Sequence, residues 1–220
     1  MFVCKFVQVD RMFDAIVGFF RRIFGFSSKR KEISLGLYGS PNVGKTTLAN
    51  AICLDLLGEP MGKVSPVPHE TRLVQKKEKL VMKMNGYSLS MNLLDMPGIA
   101  IKVDYRDFLQ YGVSVEEAQA RAKEATRGII EAVKFMSNVD AALVVIDATS
   151  DPYSQINATI LGNLEAKDIP IVIVANKMDL PEARAELIRD AFPQYPVVEI
   201  SAATGQNIEA VYEAIANRMN

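Results

Sequence analysis

Along residues 33–220 the apolar positions follow two rhythms, a short alternation of period two and a longer one near 3.6. Ile33-Ser34-Leu35-Gly36-Leu37-Tyr38 alternates apolar with small or polar residues, as a strand does. Residues 47–57 then read as a helix, with Gly58 as its stop. Residues 73–84 and 87–94 alternate on either side of Asn85-Gly86, the strongest short hairpin signal, and predict adjacent antiparallel strands. Residues 140–147 and 169–175 are nearly continuous apolar runs, as expected of strands covered on both faces. Helices are expected at 115–135, where Ser114 and Glu117 form a capping box, and at 152–167. Two more are expected at 181–192, with Pro181 in its first turn, and at 207–219. Val197-Val198-Glu199-Ile200 is a short strand. This succession predicts an α/β architecture: a mostly parallel six-stranded sheet with one antiparallel strand and helices on both faces. Ligands of such sheets bind at the carboxyl ends of the strands. Residues 58–72, with three prolines and two glycines, form a long exposed loop, and 99–114 form a second irregular stretch.

The first 31 residues break this pattern. They hold seven of the ten phenylalanines and seven Lys or Arg against Asp10 and Asp14. On a wheel of about 100° per residue, Phe2, Phe6, Val9, Phe13, Ile16, Phe20 and Ile23 share one face. Asp10, Arg11, Asp14, Arg21 and Arg22 fall opposite, and only Lys5 is misplaced. A secretory signal is excluded, because charges interrupt the apolar stretch and no small-residue cleavage site follows. Two readings stay open: a helix packed on protein, or one lying in an anionic membrane surface. Residues 1–32 are thus an amphipathic basic helix with a hydrophilic joint, and residues 33–220 the main domain.

Composition narrows the class without naming it. The 220 residues are 49% hydrophobic and 23% charged, with a net charge of −1, as in a soluble globular protein. No apolar run approaches the roughly 18 residues of a membrane span. Cys4 and Cys53 have neither metal-ligand nor disulfide spacing, which points to a reducing cytoplasm, with peripheral membrane association open through residues 1–31. Direct DNA binding is not expected.

The chemistry lies at strand ends. Gly39-Ser40-Pro41-Asn42-Val43-Gly44-Lys45-Thr46 fits G-x-x-x-x-G-K-[ST], the loop that holds nucleotide phosphates. Its backbone N–H groups, from Asn42 through Thr47, would turn inward on the phosphates at a helix N-terminus. Lys45 would reach the β- and γ-phosphates, and the Thr46 hydroxyl would ligate Mg²⁺. Asp95-Met96-Pro97-Gly98 ends a strand where a second carboxylate for the Mg²⁺ shell belongs, and the Gly98 N–H would face the γ-phosphate. Asn176-Lys177-Met178-Asp179 follows another strand. The Asp179 carboxylate can accept from N1–H and the 2-amino group of guanine, donors that adenine lacks there. Asn176 and the stem of Lys177 would support loop and base, and a backbone N–H near Ala202, in Ser201-Ala202-Ala203, would meet the guanine O6.

Together these residues resemble an Era-like GTPase of the translation-factor-related superfamily, a P-loop G domain, over residues 33–219. The switch segments look most like an archaeal Era-like group. The resemblance implies GTP/GDP binding and GTP hydrolysis with Mg²⁺, with Lys45, Thr71 and Gly98 catalytic and Thr46, Thr71 and Asp95 around the metal. Thr71, in Pro68-His69-Glu70-Thr71-Arg72, matches the switch threonine that closes on Mg²⁺. His69 has no such role in the family. Asn42 matches an asparagine that helps bind K⁺ in some relatives, where the cation stands in for an arginine finger; the alternative is that Asn42 only caps the loop. Ile99 stands where many small GTPases carry the glutamine that orients water, which implies slow intrinsic hydrolysis. Ala203 replaces the usual lysine. With the chain ending at Asn220, the resemblance leaves no room for an RNA-binding KH domain. Structured RNA is then expected only through a partner, and the effector is an unnamed protein or ribonucleoprotein. The competing classes are a GTP-gated docking module with negligible turnover and an ATP-using enzyme, the latter at odds with Asp179.

Overall fold

The structure, a computed structural model, describes residues 33–62, 73–84, 87–211 and 214. The expected N-terminal helix, the Asn85-Gly86 tip and most of the closing helix lie outside the described residues; 209–211 and 214 are helical.

Among the described residues six strands form one sheet in the order β2-β3-β1-β4-β5-β6. They are β1 (Ile33–Tyr38), β2 (Gln75–Met84), β3 (Tyr87–Asp95), β4 (Ala141–Asp147), β5 (Ile171–Asn176) and β6 (Val197–Glu199). Only the β2–β3 pair is antiparallel. The helices are α1 (Lys45–Leu57), α2 (Arg106–Leu109), α3 (Val115–Phe135), α4 (Gln155–Glu165) and α5 (Ala185–Ala191).

Period two in the central strands divides the core. In β4, Ala141, Leu143 and Val145 join the cluster that includes Leu48 and Ile52 of α1. Ala142, Val144 and Ile146 join the opposite cluster, with Ala132 of α3 and Ile160 of α4. Residues 140–147 read as an unbroken apolar run because both faces are covered. Gly36 leaves the room that the Tyr38 ring occupies, for a Cβ there would stand 2.7 Å from Tyr38 Cε2.

Several boundaries differ from the sequence reading, each for a local reason. The helix expected from 152 starts at Gln155, because Ser154 Oγ accepts from the Asn157 N–H (3.2 Å) and Pro152 O accepts from Asn157 Nδ2 (3.1 Å). The helix expected from Pro181 starts at Ala185. Residues 181–184 turn first, and the Arg184 N–H is held by Ala148 O just past β4 (2.8 Å). The capping box is half formed: Ser114 Oγ accepts from the Glu117 N–H (3.1 Å), while the Glu117 carboxylate pairs with Arg121 (2.7 Å). Residues 99–114 contain the short α2, whose buried Phe108 packs on Ala118 and Ala125 of α3.

Strand β2 carries a bulge that alternation did not reveal. Its register slips between Lys77 and Leu80, where two residues face the single Asn92, and Lys79 takes φ +55°. Asn92 is buried, and its Oδ1 accepts the Lys79 N–H (3.1 Å), a donor the ladder cannot use.

Candidate functional site

The ends of β1, β3, β4 and β5 and the loop after β6 meet at one edge of the sheet. The phosphate loop leaves β1 and enters α1 through Gly44 at φ +98°, a left-handed conformation that favours glycine. Space demands glycine as well: a Cβ on Gly44 would lie 2.2 Å from Asn176 Nδ2. Asn42 (φ +60°) is exposed, Val43 is buried, and Thr47 is half-buried in the first turn of α1. Lys45 is buried, and its Nζ donates to Ser40 O at 2.7 Å, curling the loop round its own ammonium. Burial lowers the Lys45 pKa to about 8, against the opposing pull of Asp95.

Asp95 closes β3 fully buried. Its Oδ2 accepts from Thr46 Oγ1 at 2.6 Å, and its Oδ1 meets no partner among the described residues. Burial raises the Asp95 pKa against the bond from Thr46 and the charge of Lys45. A buried carboxylate oxygen left over beside a hydroxyl is a donor set suited to a hydrated divalent cation. Among the described residues no group of three His, Cys, Asp or Glu side chains is placed to hold a metal by itself. Thr46 and Asp95 therefore fit Mg²⁺ held jointly with water and phosphate oxygens. Gly98 follows, its missing Cβ sparing Pro41 Cα at 2.8 Å, and the Ile99 N–H donates to Gly39 O (3.1 Å). The segment after β3 is thus seated directly on the phosphate loop. The Ile99 side chain is buried in the core shared with α3 and α4.

The other half of the site is tied in by one amide. Asn176, buried at the end of β5, donates from Nδ2 to Val43 O (2.8 Å), and its Oδ1 accepts the Ala202 N–H (2.9 Å). One side chain thereby joins the phosphate loop to both loops expected to read the base. The Ala202 N–H expected to face a guanine O6 is engaged by Asn176 in this structure. Lys177 follows at φ +71°, with Nζ 2.6 Å from Asp147 Oδ2. Asp179 is exposed, its carboxylate open to a ligand. Ser201 is buried and accepts at Oγ from the Thr204 N–H (3.2 Å), while Ala203 is exposed.

The structure therefore brings Asn42, Val43, Gly44, Lys45, Thr46, Thr47, Asp95, Gly98, Asn176, Lys177, Asp179, Ser201, Ala202 and Ala203 to one edge. Thr71 and His69 lie outside the described residues. Reasoning from sequence missed Asp147. Its signal was its place as the last residue of an apolar strand, in register with Asn176. It also missed Asn50, whose Oδ1 accepts the N–H groups of Met61 and Gly62 (2.8 and 2.9 Å) and holds the start of the long loop against α1.

Known proteins are similar to this chain in sequence and in fold. The GTPase Der of Thermomicrobium roseum is 31% identical over 202 residues, covering 81% of this chain and 36% of that protein. Two solved structures share the fold. Aquifex aeolicus Era, a variant bound to GDP·AlF4⁻, superposes with a TM-score of 0.65 at 22% identity, covering 86% of this chain and 58% of that one. Era in complex with MgGDPNP and a piece of 16S ribosomal RNA superposes with a TM-score of 0.64 at 23% identity, over 86% and 57%. The chain thus spans little more than a third of Der and under two thirds of Era. A family model described as the 50S ribosome-binding GTPase matches residues 34–177, a span that holds the phosphate loop, Asp95 and Asn176. The chain belongs to the 50S ribosome-binding GTPase family.

Proposed function

We propose that this chain is a guanine-nucleotide switch that hydrolyses GTP to GDP and phosphate. The observation that carries the reading is the Asn176 side chain, bonded at once to Val43 O and the Ala202 N–H beside an open Asp179. That geometry holds a phosphate cradle and a base-reading carboxylate at a fixed separation. Lys45 exchanges its bond to Ser40 O for the β- and γ-phosphate oxygens, and Asp179 takes N1–H and the 2-amino group of guanine. Water adds to the γ-phosphorus and gives up a proton to the γ-phosphate oxygens, the β–γ bridging bond breaks, and the charge that grows on the departing GDP lies beside Lys45. Mg²⁺, held through Thr46, Asp95 and, in the family pattern, Thr71, would neutralise charge on the phosphate oxygens. Asp179→Asn tests the reading. Binding measured by calorimetry should move from GTP to xanthosine triphosphate, and equal affinity of the native chain for ATP and GTP overturns it.

Turnover is slow in this reading. Ile99 is packed in the core and offers nothing to orient water, so K⁺ near Asn42 is the candidate accelerator. Phosphate release several-fold faster in KCl than in NaCl supports that role, and equal rates remove it. The buried Ile99 also favours a second reading, a GTP-gated docking module with negligible turnover. Single-turnover phosphate release no faster than that of a Thr71→Ala variant selects it. The Era neighbour bound to 16S ribosomal RNA supports a ribonucleoprotein partner for the GTP-bound form. An anionic membrane surface, met through residues 1–31, is the other partner class.

A further inference from the structure

Asp147 ends β4 with a side chain 14% exposed and three donors on its carboxylate. Oδ1 accepts from the N–H and the hydroxyl of Thr149 (2.9 and 2.7 Å), and Oδ2 accepts from Lys177 Nζ (2.6 Å). Burial would raise its pKa, yet the bonds from Lys177 and Thr149 prevail and hold it below the ordinary carboxylate range. The carboxylate is therefore charged at neutral pH, with one oxygen held by Thr149 and the other by Lys177.

The placement explains what that fixation does. In the sheet β4 lies between β1, which carries the phosphate loop, and β5, which carries Asn176 to Asp179. Asp147 is in register with Asn176. The Lys177 backbone leaves β5 at φ +71°, and its ammonium reaches back to the end of β4. Its alkyl stem thereby runs from the end of β5 to the end of β4, along the side of the gap that a nucleoside spanning the two loops must cross. A free lysine would sample many rotamers there, and ordering it costs free energy at the moment of binding.

We propose that Asp147, set by Thr149, is a positioning residue for nucleotide binding: it holds the Lys177 ammonium so that the stem is a preformed shelf under the nucleoside. The inference rests on the guanine-nucleotide reading of the site. It assigns Asp147 no contact with phosphate or with the base edge, so its effect is independent of phosphate count and of base identity.

The experiment measures dissociation constants and release rates of fluorescent GDP and a non-hydrolysable GTP analogue with the full chain. It compares the native protein with Asp147→Asn, Lys177→Ala and the double variant, and records thermal melting of each. Expected is a loss of about tenfold for Asp147→Asn, equal for the two nucleotides and seen mainly as faster release. The double variant should be no weaker than Lys177→Ala alone, since Asp147 acts only through Lys177. A merely structural role predicts additive losses and a lowered melting temperature without that coupling. Additive losses, or an Asp147→Asn affinity within twofold of native, overturn the proposal. A native chain that binds neither nucleotide overturns the guanine reading itself, and the proposal with it.

Discussion

Lys45 is a buried cation beside a buried carboxylate, and its lowered pKa gives nucleotide binding a pH signature. In the free protein its pKa is about 8. Phosphate oxygens around the ammonium favour the charged form and raise that value again. Below pH 8 the lysine is protonated in both states and affinity is level. Above pH 8 the free protein loses the proton while the complex keeps it, so binding takes up a proton and affinity falls as pH rises. Calorimetry at pH 8.5 in buffers of different ionisation heat should show this uptake, and at pH 6.5 it should vanish for Lys45. Gly44→Ala should weaken both nucleotides at least tenfold, since its Cβ would displace the Asn176 amide. Ile99→Gln should not accelerate phosphate release. It places an amide in an apolar core and should cost about 1–3 kcal/mol of stability, read by urea unfolding. Residues of this kind differ in how far the sequence disclosed them. Gly44, Lys45, Asp95 and Asp179 announce themselves because the chemistry demands a fixed local spacing. Asp147 and the two hydrogen bonds of Asn176 do not, because their partners lie 30 residues (Lys177), 133 residues (Val43) and 26 residues (Ala202) away in sequence.

At the scale of the element, and among the described residues, period two identified β1 and the β2–β3 hairpin, unbroken apolar runs identified β4 and β5 because both faces of the sheet are buried there, and period 3.6 identified the long helices α1 and α3. The ends were less legible, since they depend on side chains that compete for backbone donors. Ser154 takes the Asn157 N–H at the first turn of its helix, and Pro181 heads a turn because the Arg184 N–H is drawn to Ala148 O, whereas the Ser114 cap and the helix it starts lie where the sequence placed them. Ser114→Ala should cost about 1 kcal/mol and lower the melting temperature by roughly 2–4 °C, with nucleotide affinity unchanged. The bulge at Lys79 was invisible because Lys77, Glu78 and Lys79 are all polar, so an extra residue leaves no break in the apolar pattern. Asn92 stabilises that irregularity from the facing strand, a contact no window on β2 could disclose.

For the whole molecule, the sheet places the phosphate and base loops from strands far apart in sequence but adjacent in space. Residues 1–31 lie outside the described residues, and their basic aromatic pattern is tested on the intact chain. Sedimentation with anionic vesicles that declines with salt, and is lost on removing residues 1–31, supports a lipid role; equal sedimentation of both forms removes it. The bond pattern of Asn176 has one further consequence. Because a single amide straps the two lips of the cleft together, neither lip can swing away from a bound molecule alone. Departure of the nucleotide should then be one concerted event, a single exponential, and cutting the strap with Asn176→Ala should split it into two phases.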